Sequence, residues 1–442
     1  MSRIAVIGGG IAGLTAADRV SATHDVVAFE REPVAGGKIR SQQIDDFLFE
    51  WGPSGFLSSA KDIQTLVADL GLSDALTAAQ PAAKNRFIYW NGALHTLPAK
   101  PPQALRMSLL TPFGKARALA ELIVGKRAAG ADESVDAFMR RRFGREVAER
   151  LVAPAVLGIS GGDAKATSVA ALFPRLLAME AERGSILRGL MAGPRTPAHL
   201  TTFAHGGMQR LTDRLAERLG ARLRSGVAVS RIERSAETWR VTYEGGTTDV
   251  DGVIVATPAP AAADLLATLD APLAERLREI PYAPMRVVGV AFRPSDVRAS
   301  LDGFGFLAAR GHGVRMLGAF YTSSIVPEHA PADTVYLRIF LGGATDPAIA
   351  TLDADAVKQI VLDDLRTTLG ITAAPIAHHD IVWPEAIPQY GLAHRSIVTA
   401  IEQRVAAHPG LVLTGNAYRG LGVGDTVRDA LAAASHFTSA AD

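Results

Sequence analysis

Three glycines and one acid carry the first recognisable chemistry in this chain. Gly8, Gly10 and Gly13 fall at GxGxxG spacing within Gly8-Gly9-Gly10-Ile11-Ala12-Gly13, and Glu30 follows. In that pattern the first glycine permits a tight turn and the second lets backbone approach a pyrophosphate. The third lets helix and sheet pack closely. A carboxylate where Glu30 stands accepts hydrogen bonds from ribose hydroxyls. The elements that must aim these groups occur in order. Ile4-Ala5-Val6-Ile7 reads as a strand, 14–20 as a helix, and Asp25-Val26-Val27-Ala28-Phe29 as a second strand ending on Glu30. The helix N-terminus offers free N–H groups and partial positive charge to phosphates, so a dinucleotide site is expected here.

A second match, Gly303-Phe304-Gly305-Phe306-Leu307-Ala308, follows Ser300-Leu301-Asp302 rather than a strand, and Gly311 and Gly313 would interrupt any helix after it. No second dinucleotide site is expected. Without one for NAD(P)H, the chain reads as an oxidase rather than a reductase.

Composition narrows the remaining chemistry. The 442 residues include no cysteine, which excludes disulfides, thiolate metal sites, a Cys nucleophile and cofactor attachment through sulfur. The eleven histidines form no metal spacing, so no metal is expected, and His378-His379 reads as a solvated loop pair. No Ser-His-Asp set can be recognised from order alone. A net charge of +1 gives no case for nucleic acid as a partner. With 48% hydrophobic and 21% charged residues the chain reads as a soluble globular protein of two or three domains. Met1-Ser2-Arg3 runs straight into the first strand, so no cleaved signal peptide is expected, and no uncharged stretch is long enough to span a bilayer. A cytoplasmic location follows as the expectation.

Further along, Gly36-Gly37-Lys38 and Gly52-Pro53-Ser54-Gly55 precede a helix read from its ends. Ser59 and Asp62 have capping-box spacing, Ile63, Leu66, Val67 and Leu70 form one face, and Gly71 stops it. Residues 85–197 are mostly helical in pattern. A nucleotide-domain pattern then resumes, with a helix bearing Leu211, Leu215 and Leu219, a strand over 223–232, a hairpin partner on Trp239, Val241 and Tyr243, and a buried strand over 252–256. Strands are expected over 286–292, 315–321 and 335–340, a helix over 354–369, a strand over 411–413, and a last helix reaching about Phe437. The fold class is therefore α/β (α+β), an interleaved chain. Residues 1–84, 203–265 and 384–442 would form a Rossmann-like nucleotide-binding domain, 85–202 an α-helical domain, and 266–383 a second sheet domain.

The arrangement resembles the flavoprotein superfamily of monoamine oxidases and phytoene desaturases, and in particular its protoporphyrinogen oxidase family. The resemblance is carried by Glu50-Trp51-Gly52-Pro53, by Asn85-Arg86-Phe87-Ile88-Tyr89 with Gly92-Ala93-Leu94-His95-Thr96-Leu97-Pro98, and by Phe173-Pro174 with 184–190. It continues in 303–307, in Ile387-Pro388-Gln389-Tyr390 and in 415–425. It implies non-covalent FAD. By position Gly8, Gly9, Gly10, Ile11, Ala12 and Gly13 would hold the pyrophosphate and Glu30 the ribose. Arg31, Gly37, Lys38, Gly52, Pro53, Ser54 and Gly55 would line the ribityl chain and flavin. Val229 would meet adenine and Trp383 the flavin. Gly420, Leu421, Gly422 and Val423 would present N–H groups to the isoalloxazine edge, where a helix N-terminus favours the charge gained on reduction.

The implied reaction is six-electron oxidation of protoporphyrinogen IX to protoporphyrin IX, in three hydride transfers, with dioxygen or a quinone as acceptor. Such a substrate needs a greasy slot with a cation to orient its propionates. Arg86 would bind a propionate, Phe304, Leu307 and Phe340 would line the slot, and Gly158 would lie near its floor. No catalytic acid or base is assigned, since hydride transfer rests chiefly on placement. Leu157 and Ser54 depart from relatives that carry basic residues there, which leaves substrate orientation open. Residues 103–127 hold Arg106, Lys115, Arg117, Lys126 and Arg127 against Glu121, among apolar residues, a pattern suited to peripheral contact with a membrane. A homodimer is admitted as an oligomeric state. The nearest alternative is coproporphyrinogen III oxidation. An amine oxidase is disfavoured because no lysine occurs between Lys165 and Lys358, and a flavin-free GDP-dissociation-inhibitor-like protein because the nucleotide elements are intact.

Overall fold

Consecutive β-branched and small apolar residues at 4–7, 26–29 and 252–255 leave no polar face, so these strands must be covered on both sides. The computed structural model, which describes residues 1–98, 106–126, 130, 132–193 and 198–438, meets that demand with a five-stranded parallel sheet. Its order is Leu223–Ser225, Asp25–Glu30, Arg3–Ile7, Gly252–Val255, Leu411–Leu413. Helices Ile11–Val20, Gln209–Leu219 and Val423–Thr438 cover one face through Leu14, Leu211, Leu215 and Val427. A three-stranded antiparallel sheet and helices Ala259–Leu266, Ala271–Arg278 and His394–Ala406 cover the other.

A second sheet has seven strands in the order Ala377–Pro388, Tyr282–Phe292, Val335–Gly342, Gly318–Phe320, Gly305–Ala308, Arg86–Trp90, Ala93–Thr96. Helix Ala354–Leu369, started by the Asp353 side chain on the Ala356 N–H, packs one face with Val357, Val361 and Leu365. A helical layer gathers Val135–Phe143, Ala153–Ser160, Pro174–Arg183 and Ile186–Met191 around Phe138, Val156 and Ile186.

Several expectations are corrected by this arrangement. Residues 86–96 are strands of the large sheet, not part of the helical layer, and the boundary at 383/384 falls inside the strand Ala377–Pro388. The expected strand over 223–232 is broken: Gly226 adopts φ +73°, and the chain leaves the parallel sheet to begin the antiparallel one at Val229. The helix after Ser59 starts at Lys61 with Ala60 as its cap, so the Ser59–Asp62 capping box does not form. His378 and His379 lie in a sheet strand, with the His379 ring 4.8 Å from Phe49. The 303–308 motif becomes the strand Gly305–Ala308.

Candidate active site

At the C-terminal end of Arg3–Ile7 the chain turns through Gly8 into the helix Ile11–Val20. A Cβ on Gly13 would stand 1.8 Å from the Gly8 carbonyl oxygen, so glycine alone allows helix and turn to touch. Gly10 caps the helix without a side chain and has open space in front of it. The first-turn N–H groups of Ile11 and Ala12 are therefore left to a ligand. Glu30 ends the neighbouring strand, 8% exposed, its Oε2 accepting from the Gly9 N–H at 2.7 Å and its Oε1 from the Glu32 N–H at 2.8 Å. These bonds fix the carboxylate against the cavity that opens there.

That cavity encloses about 1590 Å³. Gly8, Gly10, Ile11, Ala12 and Glu30 form one end, with Arg31, Gly37 and Lys38 beside them and Val229 opposite. Gly52, Pro53, Ser54 and Gly55 make part of the middle wall. Leu421, Gly422 and Val423 approach from the C-terminal segment, where the helix Val423–Thr438 directs its N-terminus at the space. Trp383 lies on the wall and is held by its indole N–H, which donates to the Trp51 carbonyl at 2.8 Å. The far end is apolar, with Gly158, Leu307 and Phe340 present as expected. Gly158 packs directly against Leu307, since a Cβ there would lie 2.3 Å from Leu307 Cδ2 and push that side chain aside.

Five expected residues stand elsewhere. Gly9 and Gly13 shape the turn from behind without lining the cavity. The Gly420 N–H is already taken by the Tyr390 hydroxyl at 2.8 Å, because the turn it sits in is clasped from below. Arg86 and Phe304 lie outside the wall. Arg86 is exposed at the start of its strand, its guanidinium 5.1 Å from the Phe304 ring centre. Phe304 packs edge-on against Phe320, and Phe320 against Phe340, each at 4.7 Å. An aromatic column thus connects an outer cation to the apolar end.

Sequence reasoning missed Phe320, which lines the cavity, and Arg338, which supports it. Arg338 is 2% exposed, donates to Ser54 Oγ at 2.6 Å and to the Gly52 carbonyl at 2.9 Å, and so carries the 52–55 turn. An arginine inside the apolar run Val335–Gly342 was the available signal, because a charge in a fully buried strand must have partners. Glu50 lies behind the same turn, 1% exposed. Burial pushes its carboxyl up, against the Ser41 hydroxyl, the Arg338 charge and the Met208 N–H. Lys38 on the wall has its ammonium 5.0 Å over the Tyr282 ring, and burial lowers it to about 8 while Glu385 opposes the shift.

The donor set fits a dinucleotide: free helix N–H groups for phosphates, a fixed carboxylate for ribose, and a cation beside them. Pockets for one drug-sized ligand run to about 300–1,000 Å³. A space of 1590 Å³ admits a dinucleotide and an apolar partner together.

Comparison with known proteins agrees with this geometry. The family model described as "Flavin containing amine oxidoreductase" matches residues 11–436. Chloroplastic protoporphyrinogen oxidase 1 of Spinacia oleracea is 31% identical, with 97% of this chain and 83% of that protein covered. Coproporphyrinogen III oxidase of Bacillus subtilis (strain 168) is 29% identical, with 98% and 97% covered. A solved Exiguobacterium sp. 255-15 protein carrying a provisional protoporphyrinogen oxidase name superposes with a TM-score of 0.86 at 25% identity, covering 99% of this chain and 98% of that one.

Proposed function

The chain belongs to the flavin-containing amine oxidoreductase family, in its protoporphyrinogen oxidase branch, and on that premise we propose that it oxidises protoporphyrinogen IX to protoporphyrin IX. FAD is its cofactor. When bound, FAD supplies the acceptor for two electrons at a time, and dioxygen or a quinone regenerates it. The observation that carries the reading is one cavity with a phosphate-and-ribose end and an apolar end. Ile11 and Ala12 would hold the pyrophosphate through backbone N–H groups, and Glu30 the ribose. Lys38 would add a positive charge, and the 52–55 and 421–423 turns would hold the flavin.

Gly158, Leu307, Phe320 and Phe340 then bind the tetrapyrrole face and exclude water from it. Arg86 meets a propionate at the outer end of the aromatic column rather than inside the slot. Each hydride leaves together with one pyrrole N–H proton, which water or the flavin would take, so the reaction asks these residues chiefly for placement.

A second reading is oxidation of coproporphyrinogen III, which the similarity to the Bacillus subtilis enzyme over 98% of this chain keeps open. Anaerobic mixing with each porphyrinogen, while following the flavin absorbance, decides between them. Faster bleaching by protoporphyrinogen IX supports the proposal, and faster bleaching by coproporphyrinogen III supports the alternative. Bleaching by neither overturns both.

We also propose peripheral membrane contact through the helical layer. Among the described residues no helix is long and apolar enough to cross a membrane. Phe113 and Ile123 are 80% and 85% exposed, and Leu190 and Met191 are exposed on the helix beside Ile123. Glu121, the acid of this stretch, is buried against Arg142, which leaves Arg106 and Lys115 unopposed by it. The surface is narrower than the sequence implied, because Met107, Leu109 and Leu110 are buried. Gln103, Ala104, Leu105 and Arg127 lie outside the described residues. Flotation with anionic liposomes tests this, and protein left at the bottom of the gradient would refute it.

A further inference from the structure

The motif Pro388-Gln389-Tyr390 has no part in the cavity wall, yet it joins two elements that do. Tyr390 is 3% exposed and makes two hydrogen bonds through one oxygen. Its hydroxyl donates to the Asn416 carbonyl at 2.7 Å and accepts from the Gly420 N–H at 2.8 Å. The ring is stacked on His394 at 3.9 Å and 14°, and His394 donates its Nε2–H to the Tyr418 carbonyl at 3.2 Å. Three alternate residues of one turn are thus gripped from the same side. Asp429 holds the turn's beginning, accepting from the Thr414 hydroxyl and the Gly415 N–H. The free edge of the turn carries Asn416, Leu421 and Gly422 to the cavity.

On its other side the motif is tied to the helix that bears Gly158. Gln389 Nε2 donates to the carbonyl of Ser160, the last residue of Ala153–Ser160, at 2.9 Å. The Tyr390 carbonyl accepts from the Ser168 N–H at 2.8 Å. One dipeptide therefore sets the distance between the floor of the apolar end and the turn facing the nucleotide.

We infer that Tyr390 is a positioning residue, which pre-orders the 415–423 turn for the flavin. The inference rests on the reading above, that this turn meets FAD. A turn that must be ordered on binding costs affinity, and one already ordered does not. Tyr390→Phe keeps the ring and its stacking and removes both hydrogen bonds. Two lost hydrogen bonds predict FAD release from the diluted holoenzyme about 5- to 30-fold faster than wild type. The flavin midpoint potential should also move negative, since loosened N–H groups stabilise the reduced charge less.

Tyr321→Phe is the matched control, because the Tyr321 hydroxyl is buried and has no hydrogen-bond partner among the described residues. The expected result is faster release and a lower potential in Tyr390→Phe alone, with both variants still unfolding cooperatively. Unchanged release and potential, or equal changes in Tyr321→Phe, would overturn the role given to Tyr390. Wild-type protein that retains no flavin would overturn the functional reading beneath it.

Discussion

Arg338→Met is the substitution most directly weighed by the structure. It removes a buried guanidinium and keeps an unbranched apolar stem of similar reach. Two hydrogen bonds from a charged donor are lost, to Ser54 Oγ and to the Gly52 carbonyl. Each is worth roughly 1.5–3 kcal/mol, but the variant also escapes the cost of keeping a charge out of water. Burial already lowers the Arg338 guanidinium, which marks that cost as real. The net loss should be about 2–3 kcal/mol of stability. A larger effect is expected on cofactor retention, about tenfold or more in affinity, because the 52–55 turn loses both anchors.

The same change has a pH signature. Arg338 is one of the influences holding the buried Glu50 carboxyl down against desolvation. Without it the folded-state value rises further above the unfolded one. A carboxyl raised in the folded state costs stability at neutral pH, and the cost fades as pH falls and the group protonates. The gap between variant and wild type should therefore narrow as pH falls toward the ordinary carboxyl range, where the group is protonated in both folded proteins. Thermal unfolding at several pH values, with FAD content measured alongside, tests both parts. Equal FAD affinity in the two proteins, or a stability gap that widens in acid, would refute the reasoning.

Other consequences are as concrete. Gly158→Ala drives a methyl into Leu307, a flexible side-chain end, so the protein should fold and keep FAD while binding porphyrinogen about 5- to 50-fold more weakly. Steady-state KM beside flavin content checks it, and loss of FAD without a change in KM would count against the slot. Asp364 accepts N–H groups from Arg315 and Met316, and burial raises its carboxyl to about 6. Its charged form costs stability above that value and nothing below the unfolded value. Asp364→Asn should thus stabilise by up to about 3 kcal/mol at pH 7.5 and by little at pH 4. A gain independent of pH would contradict the cause. Glu121→Ala takes the nearer carboxylate from the fully buried Arg142, leaving only Glu180 at 3.4 Å, and frees the Ile186 and Leu187 N–H groups. A loss of about 3–5 kcal/mol in urea unfolding is expected, and a loss under about 1 kcal/mol would show the pair to be dispensable.

The parts of this molecule legible in sequence are those whose cause is local. Gly8, Gly10 and Gly13 between a strand and a helix state their own geometry, and the helix Ala354–Leu369 announces itself with Asp353 and an apolar face. The strand Ala377–Pro388 does not. Histidines, an aspartate and two prolines hide any alternation, and its conformation comes from pairing with Tyr282–Phe292 from Ala291 to Tyr282. Cavity residues divide in the same way. Lys38 and Ser54 were reached through motifs, whereas Phe320 owes its place to a sheet register and Arg338 to a turn far away in sequence. Arg86 was reached through its motif, while its place at an exposed strand start outside the wall comes from the sheet and not from any local pattern.

The strand order of the nucleotide sheet also bears on how the protein is made. Leu411–Leu413 completes its edge, and Val423–Thr438 roofs the helix that begins at Ile11. During synthesis the glycine turn emerges early and waits, its partner surface unshielded, until nearly everything else has left the ribosome. Pairings of such sequence separation close slowly and leave greasy intermediates exposed to aggregation or chaperones. Closure of the nucleotide sheet thus waits on the 411–438 segment, which brings both its edge strand and the helix laid over Ile11–Val20.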